Sequence, residues 1–256
     1  MARQDHEGDG YPADLTPRGW HGGSSHNRSA ELTKFGIVFL VVLLGSAVVA
    51  AATPARDRFL LHLDPGVMAN ERLTALAGAL LFALLAAVAV TTLSIRSFLP
   101  EHYIVGLLLV PPVVLKLAAT GYRFARYYTR NVAYRLAGPP PALMRLVVAP
   151  VLVASTLAVF ATGIELWLFG LRYGSGWMTA HTFSAVVFVL AAGGHVLWHL
   201  RRTAQVTAEE IAPAHTRIAA DLTRRSLVVA SLVLGAVLAL SSLVYATPFP
   251  PSAAGG

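Results

Sequence analysis

Six apolar runs, at residues 35–52, 73–95, 103–121, 146–169, 179–200 and 227–246, dominate this chain, and each is close to the ~20 residues a helix needs to cross a ~30 Å hydrocarbon layer. Inside such a layer there is no water for an unpaired backbone N–H or C=O, so only helices and closed barrels can span it. The runs are continuously apolar, without the alternation a barrel strand requires, which sets an outer-membrane barrel aside. The whole chain is 55% hydrophobic and 13% charged, with mean hydropathy +0.61, too apolar for a soluble domain. These features predict an all-α membrane protein with six transmembrane helices over 35–246. A disordered polar tail over 1–34 precedes it and a short tail over 247–256 follows. The stretch AVVAAATPA resembles a signal-peptide cleavage site, but the segment ahead of the first run is too long and too acidic for a usual leader, which points to a retained helix.

Basic residues orient the spans. Arg56, Arg58, Arg72, Arg123, Arg126, Arg130, Arg135, Arg145, Arg201, Arg202, Arg217, Arg224 and Arg225 fall on one side, 13 in all. The opposite side holds the 6 residues Arg3, Arg18, Arg28, Lys34, Arg96 and Arg172. The richer side is expected to be cytoplasmic, leaving both termini external and running the third and fifth spans from outside to inside. The sequence pI near 10.1 then follows from cytoplasmic arginines facing anionic lipid, with no need for nucleic acid.

The fifth run, HTFSAVVFVLAAGGHVLWH, places His181, His195 and His199 in one span. At ~100° per residue His195 lies about 40° from the azimuth of His181, and His199 returns to it, so all three share a face. At ~1.5 Å per residue His181 and His195 stand roughly 21 Å apart, one toward each side of the membrane. Ionisable groups in hydrocarbon are costly and mark functional sites. His102 opens the third span, parallel to the fifth, and Lys116 follows at the offset that separates His181 from His195. Pro111 and Pro112 intervene and bend that helix. The expected arrangement is His102 with His181 outside and Lys116 with His195 inside.

Two imidazoles facing each other from separate helices are what a low-spin haem iron requires, and nitrogen on both axial positions favours electron transfer over oxygen binding. The chain has no cysteine, which removes disulfides, cysteine-ligated clusters, thiolate-ligated haem and covalent c-type attachment. Gly106, one turn after His102, and Gly193 and Gly194, beside His195, would let a flat macrocycle approach the backbone. The same glycines also suit close helix packing.

The helix pattern of a histidine, thirteen intervening residues and another histidine is similar to the ligand helices of transmembrane b-type cytochromes, and the arrangement resembles the bacterial cytochrome b561 type. The segment HYIVGLLLVPPVVLKLAATGYRFARYYT also looks like a recurrent block of small bacterial membrane proteins akin to that group. The resemblance covers roughly 73–200. It implies a four-helix haem-binding core from spans two to five, in a bacterial inner membrane, with haem b ligated by His102 and His181. The implied activity is electron transfer between a quinone pool and a redox partner protein, as a carrier or as the cytochrome b subunit of an oxidoreductase. Spans one and six would be additions. The chain departs from a two-haem pattern at Lys116, where a second histidine would stand.

Lys116 could ligate iron as a neutral amine, bind a haem propionate or quinone oxygen, or snorkel to cytoplasmic water. The burial that a neutral lysine demands favours a single outer haem. His199 reads as interfacial, below His195 as a ligand. Glu165, in TGIELWLFG, is expected at the depth of His102 and His181, where it would orient a histidine, carry protons or pair with Arg172. GYRFARYYTRNVAYR reads as an interfacial belt of rings and guanidinium groups. TAEEIAPAHTRIAADLTRR reads as a solvated loop. His62 and His215 read as surface residues, and His6, His21 and His26 are too irregularly spaced for a metal site. No Walker, HExxH or nucleophile-elbow motif supports a hydrolase. A rival reading is a cofactor-free transporter or assembly subunit in which the histidines, Lys116 and Glu165 form a proton or ion path.

Overall fold

In the computed structural model the described residues are 64–139, 142–211 and 219–244, and among them every regular element is helical. The run at 35–52, both tails, His6, His21, His26, His62 and His215 lie outside them. Helix α1 spans Pro65–Leu93 and starts where Asp64 caps it, its carboxylate accepting from the Gly66 N–H at 2.8 Å, with Pro65 in the first turn. Helix α2 spans Leu99–Tyr128, carries Glu101 in its first turn and contains Pro111 and Pro112. A short α3, Val132–Leu136, is capped by the Asn131 side chain. A π-helical stretch, Met144–Val148, leads into α4, Ala149–Phe169, just before Pro150. Gly170, at φ 59°, ends α4 in a backbone conformation that favours glycine. Helices α5, Gly176–Ile211, and α6, Ala219–Ser241, complete the set.

Five of these helices are long and apolar enough to cross a membrane. Several outrun the apolar runs that predicted them. Helix α2 continues through the prolines and takes in GYRFARYY, so the first half of the expected belt is the end of a helix. There Tyr122 meets Tyr134 of α3 with ring centroids 5.9 Å apart. Burial pushes the Tyr134 hydroxyl above its ordinary range, keeping it protonated to donate to the Gly66 carbonyl at 3.4 Å. Much of the expected loop after span five is helical as well, since α5 runs to Ile211 and α6 begins at Ala219. Lipid thickness limits apolarity, whereas helical hydrogen bonding continues into the headgroup zone.

Helices α1, α2, α4 and α5 form a ring in which α1 packs on α2 and α5, α5 packs on α4, and α4 touches α2 more lightly. Helix α6 lies along α2. Many of the buried residues are small, among them Ala75, Ala77, Ala89, Ala119, Ala192, Ser155, Thr156 and Ser184, beside the larger Leu107, Leu109 and Leu166. Large side chains such as Val114, Leu157, Phe183, Leu190 and Leu240 face outward. That inversion is expected where lipid is as apolar as leucine and helices associate by close packing. Five crossings put the two ends of the described region on opposite sides. Because the chain has no native cysteine, single cysteines at Asp64 and Val244 should label with a membrane-impermeant maleimide from opposite sides; labelling from one side would overturn the five-span count.

Candidate functional site

His102, in the first turn of α2, and His181, in the first turns of α5, meet with ring centroids 6.4 Å apart and planes at 90°. Their helices do not pack backbone to backbone; they stand on a diagonal of the ring, and the side chains cross the gap. Each imidazole is held by a threonine from its neighbouring helix. Thr91 of α1 lies 2.9 Å from His102 Nδ1 and donates its own proton to the Val88 carbonyl at 2.6 Å. With that proton committed, the hydroxyl accepts from Nδ1–H. Thr162 of α4 repeats the arrangement, bonding the Ala158 carbonyl at 2.7 Å and standing 3.0 Å from His181 Nδ1. The Val159 carbonyl, an acceptor only, lies 3.1 Å from the same nitrogen. As neutral imidazoles both rings therefore carry their proton on Nδ1 and keep a lone pair on Nε2, the tautomer that binds a metal through Nε2. Each such bond contributes about 1 kcal/mol net and fixes ring orientation besides.

Were both Nε2 atoms to face one ion, two metal–nitrogen bonds of ~2.0 Å plus two ring radii of about 1.1 Å would separate the centroids by roughly 6.2 Å, against 6.4 Å here. Among the described residues no group of three or more His, Asp or Glu side chains converges on a metal position. Two nitrogens alone leave a bare ion under-coordinated, whereas a macrocycle supplies the equatorial ligands itself. Gly106, on the His102 face of α2, has open space where a Cβ would point. Gly163 has none: a Cβ there would stand 3.1 Å from His181 Cε1, so this glycine seats the ring.

At the other end of the ring lies a second cluster. The Lys116 amine turns toward α1 and donates to the Thr74 carbonyl at 2.6 Å, in a slot that a Cβ on Gly78 would narrow to 3.1 Å from Nζ. It lies within electrostatic reach of His195 and His199, whose rings stand 4.6 Å apart on α5. Glu71 of α1 closes the cluster, 2.5 Å from Arg202 and 3.5 Å from Arg123. The parallel course of α2 and α5 thus gathers the nitrogen-bearing residues at both ends. Both carboxylate oxygens of Glu165 are buried without a hydrogen-bond partner among the described residues. His181 Nδ1 turns to Thr162 and Val159, and Arg172 lies over the Tyr173 ring.

Thr91, Thr162, Gly163, Glu71, Thr74 and Gly78 carry no legible signal in the sequence. An intramembrane threonine satisfies itself on the carbonyl one turn back and so looks neutral, and Glu71 sits just ahead of the apolar run. The chain matches no protein-family model, and no curated protein or solved structure is significantly similar to it. Gly163→Val should shift the His181 imidazole signals in a histidine-labelled NMR spectrum by displacing that ring. Gly194→Val should leave the His181 signals unchanged, because a Cβ there meets nothing within 4 Å. Equal spectra from the two variants would dissociate Gly163 from the seating of His181.

Proposed function

We propose that this chain is a membrane b-type cytochrome that holds haem b between His102 and His181 and passes electrons between a quinone pool and a redox partner. The observation that carries the reading is the imidazole pair: two rings from diagonal helices, 6.4 Å apart, each with Nδ1 anchored and Nε2 free. When bound, the haem would supply one-electron chemistry, and two nitrogen ligands would leave no open position for oxygen. The protein's part is orientation and exclusion. Thr91 and Thr162 fix the rings, the surrounding helices keep water away, and Gly106 leaves room beside the ligand helix.

The reading predicts that His181→Ala and His102→Ala each abolish low-spin b-type absorption in a reduced-minus-oxidised spectrum, while His199→Ala retains it. Haem quantified against protein is expected near one per chain. Lys116→Ala should not change that ratio, because the amine is committed to the Thr74 carbonyl. A ratio near two that falls on changing Lys116 or His195 would replace the single-haem form with an inner haem. A wild-type chain purified without haem would overturn the reading and favour a proton or ion path through Lys116, His195 and His199.

Orientation follows from the arginine bias, which places the Glu71–Lys116 end in the cytoplasm and both termini outside, in a bacterial inner membrane. Reporter fusions after Arg135 and Arg217 should score cytoplasmic and fusions after Gly256 external. The inverted pattern would exchange the compartments that the two ends face.

A further inference from the structure

Pro112 is fully buried in the middle of α2 and has no N–H, so the Leu108 carbonyl loses the donor that a regular helix would supply four residues on. In hydrocarbon a freed carbonyl must be covered by protein. The group that covers it is Gly235 of α6. A Cβ built on Gly235 would overlap the Leu108 oxygen and stand 3.2 Å from its carbonyl carbon, so the two backbones touch with nothing between them. The contact lies on a face of α6 whose other members, Ser231 and Ala239, are small and buried, while Val229, Val233, Leu234, Val237 and Leu240 point away. Leu108 lies six residues after His102 and eight before Lys116, at the joint between the halves of α2 that carry the two sites.

We propose that Gly235 is a positioning residue: by docking its bare backbone on the Leu108 carbonyl that Pro112 frees, it sets the bend of α2 and with it the aim of His102 toward His181. The functional part rests on the haem reading above, whereas the bend does not. The Cα–H of Gly235 that a Cβ would replace faces the oxygen and offers a weak donor where a side chain would offer only a clash. Helix α6 is on this account a brace that makes two prolines inside the ligand helix tolerable, and its removal would be felt at the site although α6 supplies no ligand.

The test is a double-mutant cycle between Gly235→Ala and Pro112→Ala, with spin labels at Glu101→Cys and Tyr122→Cys. These positions are exposed near the two ends of α2 and about 31 Å apart at 1.5 Å per residue. In the Pro112 background, Gly235→Ala should shift the label–label distance beyond the width of the parental distribution. Unlabelled, it should also lower haem occupancy at least twofold and alter the low-spin electron paramagnetic resonance signal. In the Pro112→Ala background, where the restored N–H draws the Leu108 carbonyl back into the helix, Gly235→Ala should shift neither. If Gly235→Ala fails to fold, Pro112→Ala should restore folding, and its failure to do so would overturn the brace. So would equal effects in both backgrounds, or an unchanged distance. A shifted distance with haem occupancy and signal intact would overturn the link to His102. Absence of haem from the parental protein would overturn the haem reading and the link to His102, leaving the distance cycle to decide the bend.

Discussion

A polar group inside hydrocarbon has no water to fall back on, and that constraint organises this molecule. Thr91, Thr162, Ser155, Thr156 and Ser231 return their protons to a carbonyl three or four residues back. The Lys116 amine spends a hydrogen bond on the Thr74 carbonyl of the next helix. The one carbonyl that Pro112 frees is met by the barest residue on α6. Satisfaction of this kind is what lets helices with prolines, a lysine and histidines pack through small side chains, with the large apolar ones turned outward.

The same constraint explains why the histidine pair is oriented instead of merely present. Each threonine, having given its proton away locally, is left as an acceptor, and the acceptor selects the Nδ1–H tautomer of the ring beside it. The two halves of the ring do this alike: α1 serves the histidine of α2, and α4 serves the histidine of α5. A pair so prepared has Nδ1 committed on both rings, which the diagonal placement of α2 and α5 lets meet at 6.4 Å. Glu165 is the contrast, a carboxyl with both oxygens buried and no partner among the described residues.

The ends of the ring differ in character. The His102–His181 end is dominated by two oriented neutral rings. The Glu71 end gathers Lys116, Arg123 and Arg202 around one carboxylate, with His195 and His199 adjoining. Glu71 bridges cations from α2 and α5, helices that stand on a diagonal of the ring and do not pack along each other. The partly exposed arginines weaken any stability argument, because screened ion pairs contribute little. What Glu71 adds is registry, holding α1, α2 and α5 level at that end.

Periodicity and hydropathy by themselves determined where five of the helices run, that α2 and α5 are parallel, and that a common offset places His102 level with His181 and Lys116 level with His195. Those are one-dimensional facts, set by ~1.5 Å of rise per residue and the thickness of a bilayer. Helix ends were legible only roughly, since the backbone stays helical beyond the apolar run, as at Tyr128 and Ile211. Tertiary structure decided the rest: that Thr91 and Thr162 hold the rings, that Gly163 seats one of them, that Lys116 turns to Thr74, and that Gly235 covers Leu108. Each joins residues distant in sequence through an atom, usually a backbone carbonyl, that every residue possesses. No pattern of residue types can announce such a partner until the helices are side by side.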